Sequence, residues 1–218
     1  GVEAEYKLFP LEEIELNEFF SDLHREDCPI FGLNVTVPYK EKVVAYMDSV
    51  SPLVEKIGAV NTIVVTKKRK LIGHNTDAPG FVAHLTELGV ETADKKIVIL
   101  GAGGSSRAIL AALCMFPKRP ASIKIYNRTA TRAAYLLADL GDRLNADIVR
   151  AVSNIDDLDI READILINTT SVGLKSGDEI LVDDTLLHPD LFVYDLIYNP
   201  QETVLLKMAK EAGAKTAN

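Results

Sequence analysis

Two groups of residues in this 218-residue chain are suited to chemistry by kind and by position. The first is Gly101-Ala102-Gly103-Gly104-Ser105-Ser106-Arg107, directly after the apolar run Ile97-Val98-Ile99-Leu100 and at the head of a helix-like stretch. Glycine at 101 permits a tight turn, and glycine at 103 lets the backbone approach a pyrophosphate at the positive end of the helix. Ser106 takes the third fingerprint position and is still small enough for close strand–helix packing. A helix entry that merely needs flexible turn residues is the alternative, but placement inside a βαβ unit favours dinucleotide binding. The next strand ends Tyr126-Asn127-Arg128-Thr129, with Arg132 one turn on and no acid among them. A carboxylate there would repel a 2′-phosphate, whereas a guanidinium holds it with paired, charge-assisted bonds, so the pattern favours NADP. Read blandly, Arg128 and Arg132 are surface residues of a helix start, although a cation there is slightly unfavourable without a partner.

The second group is Lys40, in Gly32-Leu33-Asn34-Val35-Thr36-Val37-Pro38-Tyr39-Lys40, and Asp77, in Gly73-His74-Asn75-Thr76-Asp77. Pro38 reads as a helix start, which puts Lys40 in a first turn where its charge opposes the helix dipole. The neutral form is then relatively favoured, as proton transfer near neutral pH requires. Taken singly, a solvated lysine and an N-capping aspartate are equally good readings.

The elements that must hold these residues alternate. Tyr6–Phe9 reads as a strand, followed by a helix to about Arg25, a strand over Ile30–Val37, and a helical apolar face at Val43, Val44, Met47 and Val50. Val60–Val65 and Leu71–Ile72 flank Lys67-Lys68-Arg69-Lys70, a charged hairpin turn whose basic residues read as a solvated tip. A helix over Asp77–Leu88 ends at Gly89. Beyond it come strands Ile97–Leu100, Ser122–Tyr126, Ile148–Val152, Ile165–Ile167 and Phe192–Ile197, with helices Ser105–Met115, Thr131–Leu140 and Glu202–Ala212. Fully apolar strands separated by helical stretches imply a doubly wound parallel sheet covered on both faces. The expected fold is therefore α/β with two domains: a small α/β domain over 1–88, then a doubly wound Rossmann-type domain over 89–218.

Composition excludes several classes. Hydrophobic residues are 47% and charged residues 26%, as in ordinary globular proteins. Residues 1–27 carry nine acids against Lys7 and Arg25, so most of the formal charge of −8 is local and does not oppose an anionic ligand further on. No apolar run reaches membrane-span length, and nothing in the sequence argues for secretion. Two cysteines, Cys28 and Cys114, suit a reducing, cytoplasmic setting. Four dispersed histidines show no metal-ligand spacing, and no metal is expected. The expected partner is a small-molecule substrate, with no nucleic acid and no membrane; the chain is read as a monomer or homodimer.

Together the motifs resemble the shikimate dehydrogenase family, over essentially the whole chain. They run in order: Asn34–Lys40, Ala59-Val60-Asn61-Thr62, Asn75-Thr76-Asp77, Gly101–Gly104, Asn127-Arg128-Thr129, Asn168-Thr169-Thr170-Ser171-Val172-Gly173 and Tyr194-Asp195-Leu196-Ile197-Tyr198-Asn199-Pro200. The resemblance implies NADPH-dependent reduction of 3-dehydroshikimate to shikimate, in the chorismate route to aromatic amino acids. It implies catalytic roles for Lys40 and Asp77, and substrate contacts for Thr36, Asn61, Asn75 and Tyr198. It also implies cofactor contacts for Gly101, Ala102, Gly103, Gly104, Ser105, Ser106, Asn127, Arg128, Thr129, Arg132, Thr169 and Ser171.

The family's opening serine motif and its closing glutamine helix have no counterpart here, so the chain is expected to lack both family termini, with Gly1 as a cut. Leu174 stands where the family commonly has methionine, a volume-conserving change. The alternatives are a quinate/shikimate enzyme that accepts NAD and a catalytically silent NADP(H)-binding module of a longer polypeptide. Glutamyl-tRNA reductases have a similar loop and strand end but leave the Lys40 and Asp77 motifs unexplained.

Overall fold

The computed structural model describes residues 3–115, 119–141, 143–144, 147–175 and 177–218; Gly1, read as a cut, lies outside them. The first half opens with α1 (Leu16–Leu23), whose Leu16, Phe20 and Leu23 recur at helical spacing and are buried. Then come β1 (Gly32–Asn34), β2 (Ser49–Val50), α2 (Pro52–Ile57), β3 (Thr62–Val65) and β4 (Leu71–His74). These strands form a sheet in the order β1-β3-β4-β2, with β3 antiparallel to both β1 and β4. Val43, Val54, Val60, Ile63 and Leu71 join the buried face of α1 in a separate small core. α3 (Asp77–Glu87) closes this half, and Gly89 comes after it at φ +66°.

The second half is regular. β5 (Lys96–Leu100), α4 (Gly104–Met115), β6 (Ser122–Tyr126), α5 (Ala130–Gly141) and β7 (Val149–Val152) alternate. β8 (Ile165–Asn168), β9 (Phe192–Asp195), α6 (Val204–Glu211) and β10 (Lys215–Ala217) complete it. All six strands are parallel, in the order β10-β9-β8-β5-β6-β7. Strand order reverses between β5 and β8, and the crevice beyond their carboxyl ends is where an open α/β sheet takes ligands. The fold is thus the expected α/β arrangement, a doubly wound parallel sheet preceded by a smaller sheet. One face of the parallel sheet packs α4 with Ala78, Phe81 and Leu85 of α3, and Ile57 and Ala59 enter the same core. The other face packs α6.

Several expectations fail in the first half, for tertiary reasons. Tyr6–Phe9 is not a strand: it has no ladder partner among the described residues, and Tyr6 and Leu8 are exposed. The strand expected over Ile30–Val37 pairs only at Gly32–Asn34. No α-helix starts at Pro38. The Tyr39 N–H closes a turn on Thr36 O, and the Lys40 carbonyl accepts from Val60 N (2.7 Å) rather than from Val44 N. The chain then makes a 3-10 turn, Lys42–Tyr46, and Val50 sits on β2. The hairpin between β3 and β4 forms, yet Arg69 at its tip turns inward at φ +57° and donates to the Leu23 and Ile30 carbonyls.

Candidate active site

Lys40 and Asp77 are 37 positions apart in sequence and meet across the junction of the two halves. Lys40 Nζ donates to Asp77 Oδ2 (2.8 Å) and to Ser105 Oγ (3.1 Å). The lysine side chain is 12% exposed and the aspartate 24%, so solvent screens this pair far less than a surface pair. Lys40 stands in a turn rather than in a helix, so no helix of its own sets a dipole against its charge. Asp77 is the first residue of α3 and does not cap it. That task falls to Asn75, whose Oδ1 accepts from Ala78 N (3.2 Å) while its Nδ2 donates to Ala59 O (3.1 Å).

Asn61 completes the pair from behind. Its Nδ2 donates to Asp77 Oδ1 (2.7 Å) and Thr76 Oγ1 (2.9 Å), and its Oδ1 accepts from Thr76 N (2.9 Å). One carboxylate oxygen is therefore held by Asn61 and the other faces Lys40. The family resemblance implies substrate contacts for Asn61 and Asn75. Both are buried, and both side chains are spent on the backbone and carboxylate that support the pair.

The pair opens on a cleft of about 600 Å³ whose walls include Thr36, Lys40, Asp77, Ser105, Thr169, Ser171 and Tyr198. Thr36 and Tyr198 come from opposite halves and reach the same cavity, Tyr198 at an exposed rim. Phe81, Ile109 and Leu196 give the cavity an apolar side. Tyr194 also lines it, and His84 Nδ1 lies 2.8 Å from the Tyr194 hydroxyl; burial pushes the pKa of that phenol up and keeps it protonated.

The glycine loop sits at the reversal between β5 and β8. Gly101 has φ +107°, and a Cβ there would lie 2.5 Å from Thr169 Oγ1, so no other residue fits. Thr169 Oγ1 and its own amide both donate to Leu100 O (2.7 and 2.8 Å). Among the described residues nothing stands within 4 Å of a Cβ placed on Gly103, which leaves the backbone open to a bulky anion. α4 begins at Gly104 and points its positive end at this opening. Ala102 and Ser105 are half-buried, whereas Ser106 lies beneath the loop with its hydroxyl donating to Gly101 O (2.9 Å). Ser106 therefore braces the turn from below instead of facing its opening.

At the end of β6, Asn127 Nδ2 donates to Thr129 O (3.0 Å), and Arg128, Thr129 and Arg132 are exposed. Arg128 is paired with a carboxylate, Glu179 (3.0 Å). A 2′-phosphate would have to displace that carboxylate from Arg128, whereas the open glycine loop at the head of α4 fits the pyrophosphate of a dinucleotide. Among the described residues, no group of three His, Cys, Asp or Glu side chains is placed to hold a metal ion. No described helix is long and apolar enough to cross a membrane.

Sequence reasoning passed over the residue that organises the far wall. Asp195 is fully buried at the end of β9. It accepts from Asn168 Nδ2 (2.9 Å), Ile197 N (3.0 Å) and Thr203 Oγ1 (2.7 Å), yet desolvation still pushes its carboxyl upward. This network ties the loop after β8, with Thr169 and Ser171, to the loop that carries Tyr198. A signal was present: a carboxylate ending an otherwise apolar strand has to be satisfied internally.

Two family models match separate stretches of the chain. Residues 1–63 match the family model for the shikimate dehydrogenase substrate binding domain, and residues 84–183 match that for shikimate / quinate 5-dehydrogenase. The chain is 37% identical to the shikimate dehydrogenase (NADP+) of Symbiobacterium thermophilum, over 100% of this chain and 74% of that protein. The crystal structure of shikimate dehydrogenase from Aquifex aeolicus superimposes with a TM-score of 0.81 at 36% identity, covering 94% of this chain and 71% of that one. A shikimate dehydrogenase crystallised in complex with NADP+ gives a TM-score of 0.82 at 37% identity, covering 96% and 72%. The chain spans roughly two thirds to three quarters of the length of the curated relatives it matches.

Proposed function

The chain belongs to the shikimate dehydrogenase family, and we propose that it carries the NADP-linked, reversible reduction of 3-dehydroshikimate to shikimate. The observation that carries this reading is the Lys40–Asp77 pair, held at 2.8 Å beside the glycine loop and open to one cleft. NADP, when bound, supplies or accepts the hydride. The chain's own residues do the rest. Lys40 gives or takes the proton of the ring hydroxyl at Nζ, and Asp77, fixed by Asn61, keeps that amine aimed into the cleft. Thr36 and Tyr198 contact the substrate from opposite walls, while Asn61 and Asn75 act from behind the pair.

Gly101, Ala102, Gly103, Gly104 and Ser105 would line the pyrophosphate, braced by Ser106. Asn127, Arg128, Thr129 and Arg132 would hold the adenosine 2′-phosphate, with Thr169 and Ser171 toward the nicotinamide. Substrate work then falls to residues 1–88 and cofactor work to 89–218. The alternatives are not favoured: a silent binding module would not need a lysine–aspartate pair positioned by a buried asparagine. A monomer or homodimer in the cytoplasm completes the reading, consistent with two free cysteines.

The test is oxidation of shikimate and of quinate, each with NADP+ and NAD+, on the parent chain and on Arg128→Ala. Shikimate with NADP+ should be the best pair. Arg128→Ala should weaken NADPH binding roughly tenfold, the worth of one charge-assisted contact, and leave NADH nearly unchanged. Better turnover of quinate with NAD+, or equal losses for both cofactors, would overturn the assignment.

A further inference from the structure

Arg107 closes the glycine motif and is the one residue of that motif for which neither phosphate binding nor strand–helix packing has a use. It is 3% exposed, a costly position for a permanent charge unless several partners share it. Nη2 lies 3.2 Å from Glu41 Oε2, and Nη1 donates to Ile57 O (3.2 Å) and to Asp139 on α5. Nε has no partner among the described residues. Glu41 adjoins Lys40, and Ile57 ends α2, where Gly58 stands at φ +73°. A Cβ at Gly58 would come within 3.2 Å of the same Nη1, so the guanidinium fits flush against the bare backbone.

Both segments under this guanidinium lead straight to the proton-transfer pair. From Glu41 the chain runs back one residue to Lys40. From Gly58 it runs on through Ala59, which receives Asn75, and Val60, whose amide holds the Lys40 carbonyl, to Asn61, which holds Asp77. Arg107 itself belongs to α4, two residues on from Ser105, whose hydroxyl accepts from Lys40 Nζ. We propose that Arg107 is a positioning residue that clamps the two segments carrying Lys40 and Asn61 against the cofactor-loop helix, so that the amine and the glycine loop keep one fixed separation. This rests on the reading of Lys40 as the proton-transfer group.

The experiment compares Glu41→Gln, Arg107→Lys and Lys40→Ala. Glu41 is 40% exposed, so Glu41→Gln should fold even where Arg107→Lys does not. Lysine keeps the charge at 107 but cannot engage both segments at once. Each of the two clamp variants should lower kcat about tenfold with both KM values within about twofold, since misplacing a group costs rate more than binding. The solvent deuterium isotope effect on kcat should rise, because proton transfer becomes slower relative to other steps. A lowered melting temperature with kcat and isotope effect unchanged would make the clamp merely structural and overturn the proposal. If Lys40→Ala is inactive while Glu41→Gln is normal, only the clamp fails; if Lys40→Ala turns over, the reading of the site itself fails.

Discussion

Around Gly101 the chain is all long-period regularity: β5, β6 and β8 are four- or five-residue strands in register, and α4 is a twelve-residue helix. Around Lys40, from Val35 to Asp48, the longest element is a five-residue 3-10 turn. The glycine loop is held by bonds between neighbours on the sheet, as when Thr169 and Ser106 fasten Leu100 and Gly101. The Lys40 turn is held from elsewhere, by Val60 N, Arg107 and Ser105. A cofactor loop can be preformed because its ligand needs only backbone amides and room. A proton-transfer group has to be placed to a fraction of an ångström relative to that loop, and only long-range contacts can do this.

Three substitutions put this contrast at risk. The largest effect is expected of Lys40→Ala: turnover should fall by about a thousandfold or more, within the span general acid–base groups supply, with NADPH affinity nearly unchanged. Steady-state kinetics with a fluorescence titration of NADPH checks both halves, and a variant that loses cofactor binding as well would show the two halves to be less separable than described. Next is Gly101→Ala. Its Cβ would sit 2.5 Å from Thr169 Oγ1 at a φ of +107°, so stability should drop by roughly 2–3 kcal/mol and NADPH binding should be lost. Urea denaturation reads the first and the same titration the second; native-like binding would mean the loop does not need its glycine.

The smallest effect concerns the first half alone. Asp48 accepts from Leu71 N (2.8 Å) and Lys70 Nζ (2.7 Å), and these bonds hold its carboxyl below the usual range. A carboxyl depressed on folding stabilises above its unfolded value, near pH 4, and that contribution is lost as pH falls through the folded value. Asp48→Asn should therefore cost about 1 kcal/mol at pH 7, and the gap to the parent should close on acidification. Melting curves between neutral pH and pH 3 decide it; a gap independent of pH would leave the ion pair without a share in stability.

Legibility divided along the same line. β5 with its loop and α4 could be read from one continuous segment, because an apolar strand, a glycine turn and a helical period are local signals. Tyr6–Phe9 has strand-forming residues but no strand partner among the described residues, and Pro38 is a helix-starting residue but the Lys40 carbonyl is already taken by Val60. Asn61 and Asn75 were recognisable as functional types, yet nothing in their neighbours said that their side chains turn inward. Asp195 and Arg107 were visible as charges in apolar surroundings, a cue that marks a network without naming its members.

The residues read in order were enough for the class of fold, the place of the glycine loop between β5 and α4, and the family's motif order. Each depends on residues within about one βαβ unit, where periodicity and backbone freedom act directly. Packing alone put Asn61 on Asp77 rather than in the cleft, and Lys40 on a turn against Ser105. Packing also joined Glu41, Ile57 and Asp139 through one buried guanidinium. Those contacts span tens of residues, and which of them form depends on which backbone groups the packing leaves without another partner.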